Sequence, residues 1–205
     1  MRTICIFCLI LLITLLCTAC GTHRARIPAQ QYGGASNEPT QPRVIAVFPI
    51  EPGPAPQESA ELLTRTLVSV LSTRYEVAQV ELPPAGLVEP EKRILIDDLL
   101  LARDKFRADA VLMGKIIDYR RRDPPSLTMS LKFISTEDAK LLWAASRTID
   151  SAQPNIEERV RTYFAEVQES NRSLFGWRTV LLAERRYIQF VANEFLRTMD
   201  PHWRP

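Results

Sequence analysis

Beyond residue 20 the chain has no cysteine: all four, Cys5, Cys8, Cys17 and Cys20, lie at its amino-terminal end. A fold built from the remainder must hold without disulfides, and it has no thiol for nucleophilic work. Histidine is nearly missing too. The two present, His23 and His202, sit near opposite ends, so neither a Ser-His-Asp triad nor a histidine metal site is expected. Glycine is sparse, seven in 205 residues, and no phosphate-cradling glycine-rich loop can be drawn. Neither sign of charge dominates. Lys and Arg number 26 against 24 Asp and Glu, a net +2, so nothing global calls for a nucleic-acid partner. The adjacent acids Asp97-Asp98, Glu137-Asp138 and Glu157-Glu158 suit solvation better than paired acid–base catalysis, since helical neighbours point about 100° apart. The sequence predicts no enzyme and no cofactor.

What the chain does have is a leader. Arg2 supplies a short positive region, an apolar run follows over residues 4–16, and small residues lead to Cys20 and Gly21. The run is shorter than the ~20 residues that span a bilayer, which fits a cleaved signal better than a transmembrane helix. Leu15 and Leu16 followed by Thr18-Ala19-Cys20-Gly21 resemble the lipobox of bacterial lipoproteins, although Cys17 stands where that box usually carries Leu. The resemblance implies cleavage before Cys20 and acylation of its thiol, with palmitate-type chains entering the lipid bilayer. Gly21 rather than Asp after the cysteine resembles lipoproteins sorted to the periplasmic face of the outer membrane, with inner-membrane retention the lesser alternative.

Residues 20–42, with Gly33-Gly34, Pro39 and Pro42 and no hydrophobic period, read as the lipidated cysteine and a flexible tether. A strand is predicted over 43–50 (RVIAVFPI), then a helix over 57–73 with Ala60, Leu63, Leu67 and Leu71 on one face. A second strand over 75–80 and a helix over 91–106 follow. Three hairpin-connected strands come next, over 108–119, 127–133 and 140–149. In the middle one Leu127, Met129, Leu131 and Phe133 alternate with Thr128, Ser130 and Lys132. Two helices close the chain, over 155–168 and 178–199. The expected fold is therefore α/β (α+β): a mixed five-stranded sheet, two helices between strands, and two C-terminal helices. The organisation is signal 1–19, tether 20–42, core 43–150, and a helical pair over 151–205 packed on it.

Ala108-Asp109-Ala110-Val111-Leu112-Met113-Gly114 and the late strand with Leu142-Trp143-Ala144 carry a second resemblance. Together with the strand order they are similar to the fold shared by the TolB amino-terminal domain and several periplasmic lipoproteins. Those include the curli secretion channel lipoprotein, the Pel exopolysaccharide lipoprotein and the lipoprotein activator of penicillin-binding proteins. Two roles follow as expectations. One is a self-assembling outer-membrane collar for export of a polymer or an envelope structure; the other is a monomeric regulator or adaptor of a cell-wall synthase. A 21-residue tether (22–42) as a coil spans about 5–6 Å times the square root of its length, which favours work close to the outer membrane.

Three surfaces are candidates for contact with self, other envelope proteins or lipid. The helix over 91–106 is apolar nearly all round, and Ile94, Ile96, Leu100 and Leu101 either pack within the fold or form a subunit interface. Arg120, Arg121 and Arg122 in a hairpin turn either keep it soluble or grip anionic groups through guanidinium forks. Phe175 and Trp177, flanked by Arg172 and Arg178, form either a membrane-interface foot or a lid folded back on the core. Gly114 is expected where a central strand bulges or is closely approached, and Trp143 in the core.

Overall fold

The computed structural model describes residues 30–33, 42–80, 96–167 and 175–199. Strand β1 is Gln30–Gly33 and β2 is Val44–Val47; helix α1, Gln57–Leu71, leads to β3, Glu76–Gln79. Helix α2, Ile96–Phe106, precedes three long strands: β4 Ala110–Arg120, β5 Ser126–Ser135 and β6 Leu141–Asp150. Helices α3, Pro154–Val167, α4, Arg178–Leu182, and α5, Glu184–Leu196, are the last elements among the described residues.

The strands form one mixed sheet in the order β1-β6-β5-β4-β2-β3, with β2 parallel to both β3 and β4 and the remaining pairs antiparallel. All five predicted strands are present. The sixth, β1, falls inside the segment read as tether and pairs with β6, Gln30 opposite Ser146 and Gly33 opposite Trp143. Strands β2, β4 and β6 run toward one end of the sheet, here the upper end, where β4 finishes at Arg120 and β6 at Asp150.

Alternation along the strands divides the interior in two. Ile45, Val47, Leu112, Ile116, Leu127, Met129, Leu131, Phe133 and Ile149 face α1, α3 and α5, and the predicted helix positions Ala60, Leu63, Leu67 and Leu71 meet them there. A smaller cluster of Ala46, Phe48, Val111 and Ile134 lies on the opposite face beneath Leu99 and Ala102 of α2. The rest of that second face, over β4 to β6, is hydroxyl-lined: Thr128 and Thr148 bond to each other at 2.9 Å, beside Ser130 and Ser146. Trp143 is buried, and its indole N–H donates to the Thr198 carbonyl.

Asp109 explains why an acid stands just before β4. Its Oδ2 accepts the backbone N–H groups of Arg43 and Val44 at 2.8 and 3.0 Å, and its own N–H donates to the Val44 carbonyl. The start of β2 is thereby clamped to β4, and the Thr136 hydroxyl clamps the third segment by donating to the Ala108 carbonyl. A Cβ at Gly114 would strike the Leu131 side chain and come within 2.6 Å of the Ser130 carbonyl oxygen, so the close approach is real. The bulge lies elsewhere, between Ile116 and Asp118.

The predicted single helix over 178–199 is instead two. Ala183 is extended (φ −105°, ψ 113°) and separates α4 from α5. Nothing in Leu182-Ala183-Glu184 breaks helical periodicity; at the break Glu184, the first residue of α5, is bonded across the molecule to Ser59, Tyr119 and Arg121. Among the described residues no helix is long and apolar enough to cross a membrane.

Candidate interaction surfaces

Cys20, Ile94 and Arg172 lie outside the described residues. Ile96 is the first residue of α2. On that helix Leu99 and Ala102 are spent on the second-face core, whereas Leu100 and Leu101 are 38 and 41% exposed. The structure thus covers α2 on one side and leaves two adjacent leucines outward.

The arginine triplet is divided among three environments. Arg120 turns back along the hairpin, donating to the Pro124 carbonyl at 2.8 Å and to Asp150 at 3.1 Å. Arg121 reaches Glu184 at 2.9 Å. Arg122 is exposed and makes no hydrogen bond or ion pair with any described residue. The three guanidinium groups therefore do not converge on one site.

The two aromatics also part company. Phe175 is 64% exposed, while Trp177 packs against the main core. Two guanidinium groups lie over its ring, Arg161 at 4.7 Å and Arg178 at 5.2 Å from the centroid. Cation–π attraction to both groups gives the indole a reason to stay folded back. Gly176, at φ 54°, supplies the left-handed turn between them.

Two polar clusters were not anticipated. At the upper end, Glu184 Oε1 accepts from the Ser59 hydroxyl at 2.6 Å and from the Tyr119 hydroxyl at 2.5 Å, while Oε2 takes Arg121. Burial alone would raise the Glu184 carboxyl, but these donors hold it below the usual carboxylate range. Burial and the bond to Glu184 push the Tyr119 phenol up to about 12. All of these donors are spent on one carboxylate, so the cluster works as a clasp joining α1, β4 and α5.

The second cluster is buried. Arg159 of α3 meets Glu194 of α5 through two bonds of 2.6 and 3.2 Å, with side chains only 7 and 5% exposed. Arg147 of β6 donates to the Glu194 carbonyl at 2.9 Å and lies over the Phe195 ring. Burial lowers the pKa of Arg147, whereas the bond to Glu194 raises that of Arg159. The only hint in the sequence was an arginine at a position whose helical neighbours Ile156, Val160 and Tyr163 are core residues. Among the described residues no group of His, Cys, Asp and Glu side chains is placed to hold a metal ion.

No protein-family model and no curated protein matches the chain. Among solved structures it is similar to the PelC dodecamer from Paraburkholderia phytofirmans, at 17% identity over 64% of this chain and 87% of that one, with a TM-score of 0.45. Lipoprotein GNA1162 from Neisseria meningitidis is 19% identical over 63% of this chain and 99% of its own, with a TM-score of 0.42. The LpoB C-terminal domain from Salmonella enterica is 14% identical over 56% and 87%, with a TM-score of 0.38.

Proposed function

We propose that this chain is a bacterial lipoprotein, acylated on Cys20 and held at the periplasmic face of the outer membrane. There it serves as a non-catalytic assembly or export component for a secreted polymer or envelope structure. The observation that carries this reading is the cysteine distribution: a short leader closing on Thr18-Ala19-Cys20-Gly21, and no thiol after it. Each buried CH2 of an acyl chain contributes about 0.8 kcal/mol, so two or three chains make a durable anchor where one is marginal. The domain reading goes with it, adjusted for β1: a processed signal over 1–19, an anchor segment from Cys20 toward Gln30, and a fold that takes in β1 as well as the chain from residue 43 onward.

Self-assembly is the form of this role that α2 supports, because its outward Leu100 and Leu101 extend an apolar surface already half used by the core. A second reading, a monomeric regulator of a cell-wall synthase, is favoured by the hydroxyl-lined face of β4 to β6. Transient protein contacts are more polar than obligate ones. Light scattering on residues 21–205 across a concentration series separates the two. A discrete multimer supports the assembly role; a monomer at every concentration removes it. The anchor itself is tested by Cys20→Ser, which abolishes acyl labelling and releases the protein from the membrane fraction. Retention of the variant would sink the lipoprotein reading.

A further inference from the structure

We infer that the upper end of the sheet is the surface this protein turns to the bilayer, with Leu182, Arg122 and Arg185 meeting phospholipid headgroups. The inference rests on the proposed acylation of Cys20 and adds an orientation to it.

Strand β1 sets the direction. Because it runs antiparallel to β6, with Gln30 opposite Ser146 and Gly33 opposite Trp143, the chain entering β1 comes from the side of Asp150 and the Arg120–Pro125 turn. Cys20 precedes Gln30 by ten residues. Even fully extended, that length reaches about 36 Å. From Ser146 to the end of β6 is four residues, about 14 Å of strand. The length allows the anchor to lie beyond the upper end, and the direction in which the chain enters β1 is what favours that end over the lower one.

The side chains gathered at that end suit a headgroup region. Leu182, 71% exposed, is the most exposed large hydrophobic residue described. It closes α4 two residues before Glu184, whose carboxylate binds Arg121 and Tyr119 at the end of β4, so it sits at the upper end. Arg122, next in the chain to Arg121, and Arg185, next to Glu184, are exposed at the same end, and neither is engaged by a described residue. The acids Asp123 and Glu58 share this end, so the attraction is the pairing of guanidinium forks with phosphate around an apolar residue rather than a large net charge. The opposite end carries both signs as well, Glu137 and Asp138 beside Lys140, which pairs with Asp138 at 2.6 Å, so the direction of chain entry and the exposed Leu182 distinguish the two ends rather than charge.

The test uses the full-length, membrane-extracted protein reconstituted into vesicles of phosphatidylethanolamine and phosphatidylglycerol. Once Cys20 is acylated the mature chain has no free thiol, so Arg122→Cys and Glu137→Cys each accept one fluorophore. A nitroxide on the lipid headgroup should quench the label at position 122 several-fold more than that at 137. Adding Leu182→Ser and Arg185→Glu should reduce the difference. Equal quenching, or stronger quenching at 137, would overturn the orientation. The mass of the purified mature chain separates the two levels. An unmodified Cys20 overturns the anchor and the orientation together, whereas an acylated Cys20 with reversed quenching overturns the orientation alone.

Discussion

Glu194 shows most clearly how a single residue holds this fold. Its carboxylate is buried and carries two bonds from Arg159, while its backbone carbonyl receives Arg147. Replacing both partners of such a pair with apolar residues can be neutral, but removing one leaves a charge stranded in low dielectric. Glu194→Gln should therefore cost about 3–5 kcal/mol by urea unfolding, and Arg159→Met with Glu194→Leu should recover much of it. Tyr119 gives a prediction of a different kind. Its phenol is raised to about 12 from 10.0, so the fold favours the protonated form. The stability this contributes is complete below pH 10 and is lost as pH rises toward about 12. Thermal unfolding followed over that interval should fall more steeply for the natural chain than for Tyr119→Phe. An identical slope would remove Tyr119 from the clasp. Neither cluster was legible in the sequence. Arg159 follows Glu157-Glu158 and looks like part of a solvated face until α5, 35 residues away, supplies Glu194.

The elements were far easier to read, where one face is buried and the other is not. Strand β5 alternates as its sequence does, and α1 buries the four residues its spacing selects. Periodicity reports solvent contact, and these elements have it on one side only. It fails at Ala183, where the residues on either side keep helical spacing while the backbone does not. It fails again at β1, whose four residues carry no apolar pattern and join the sheet through backbone pairing with β6. The turn before α4 gives a test at this scale. Trp177 packs against the core with Arg161 and Arg178 over its ring, so Trp177→Ser should lower the melting temperature by several degrees, in keeping with loss of about 1–3 kcal/mol of packing and cation–π attraction. Liposome association of the lipid-free protein should not change. The opposite pattern, unchanged melting and lost association, would return the indole to the membrane surface.

At the scale of the whole molecule, the helices are unevenly shared between the faces of the sheet. Among the described residues α1, α3, α4 and α5 all contribute to the main core, and α2 alone covers part of the other face, leaving its leucines outward and a polar strip over β4 to β6. If copies associate, they should do so through α2. Leu100→Asp with Leu101→Asp should then reduce any multimer of residues 21–205 to monomer in light scattering without changing its circular dichroism. A multimer that survives both substitutions places the interface elsewhere.

The sequence by itself determined the order of the five predicted strands and of the helices between them, the buried face of elements such as α1 and β5, and the confinement of cysteine to the first twenty residues. All of these are written in composition and local period, because solvent contact repeats along a strand or helix. Only the tertiary structure decided the sixth strand, the break at Ala183, the pairing of Arg159 with Glu194, and the separate fates of Arg120, Arg121 and Arg122. Each depends on a partner far along the chain, and a charge or a backbone amide shows nothing of its partner until the fold brings them together.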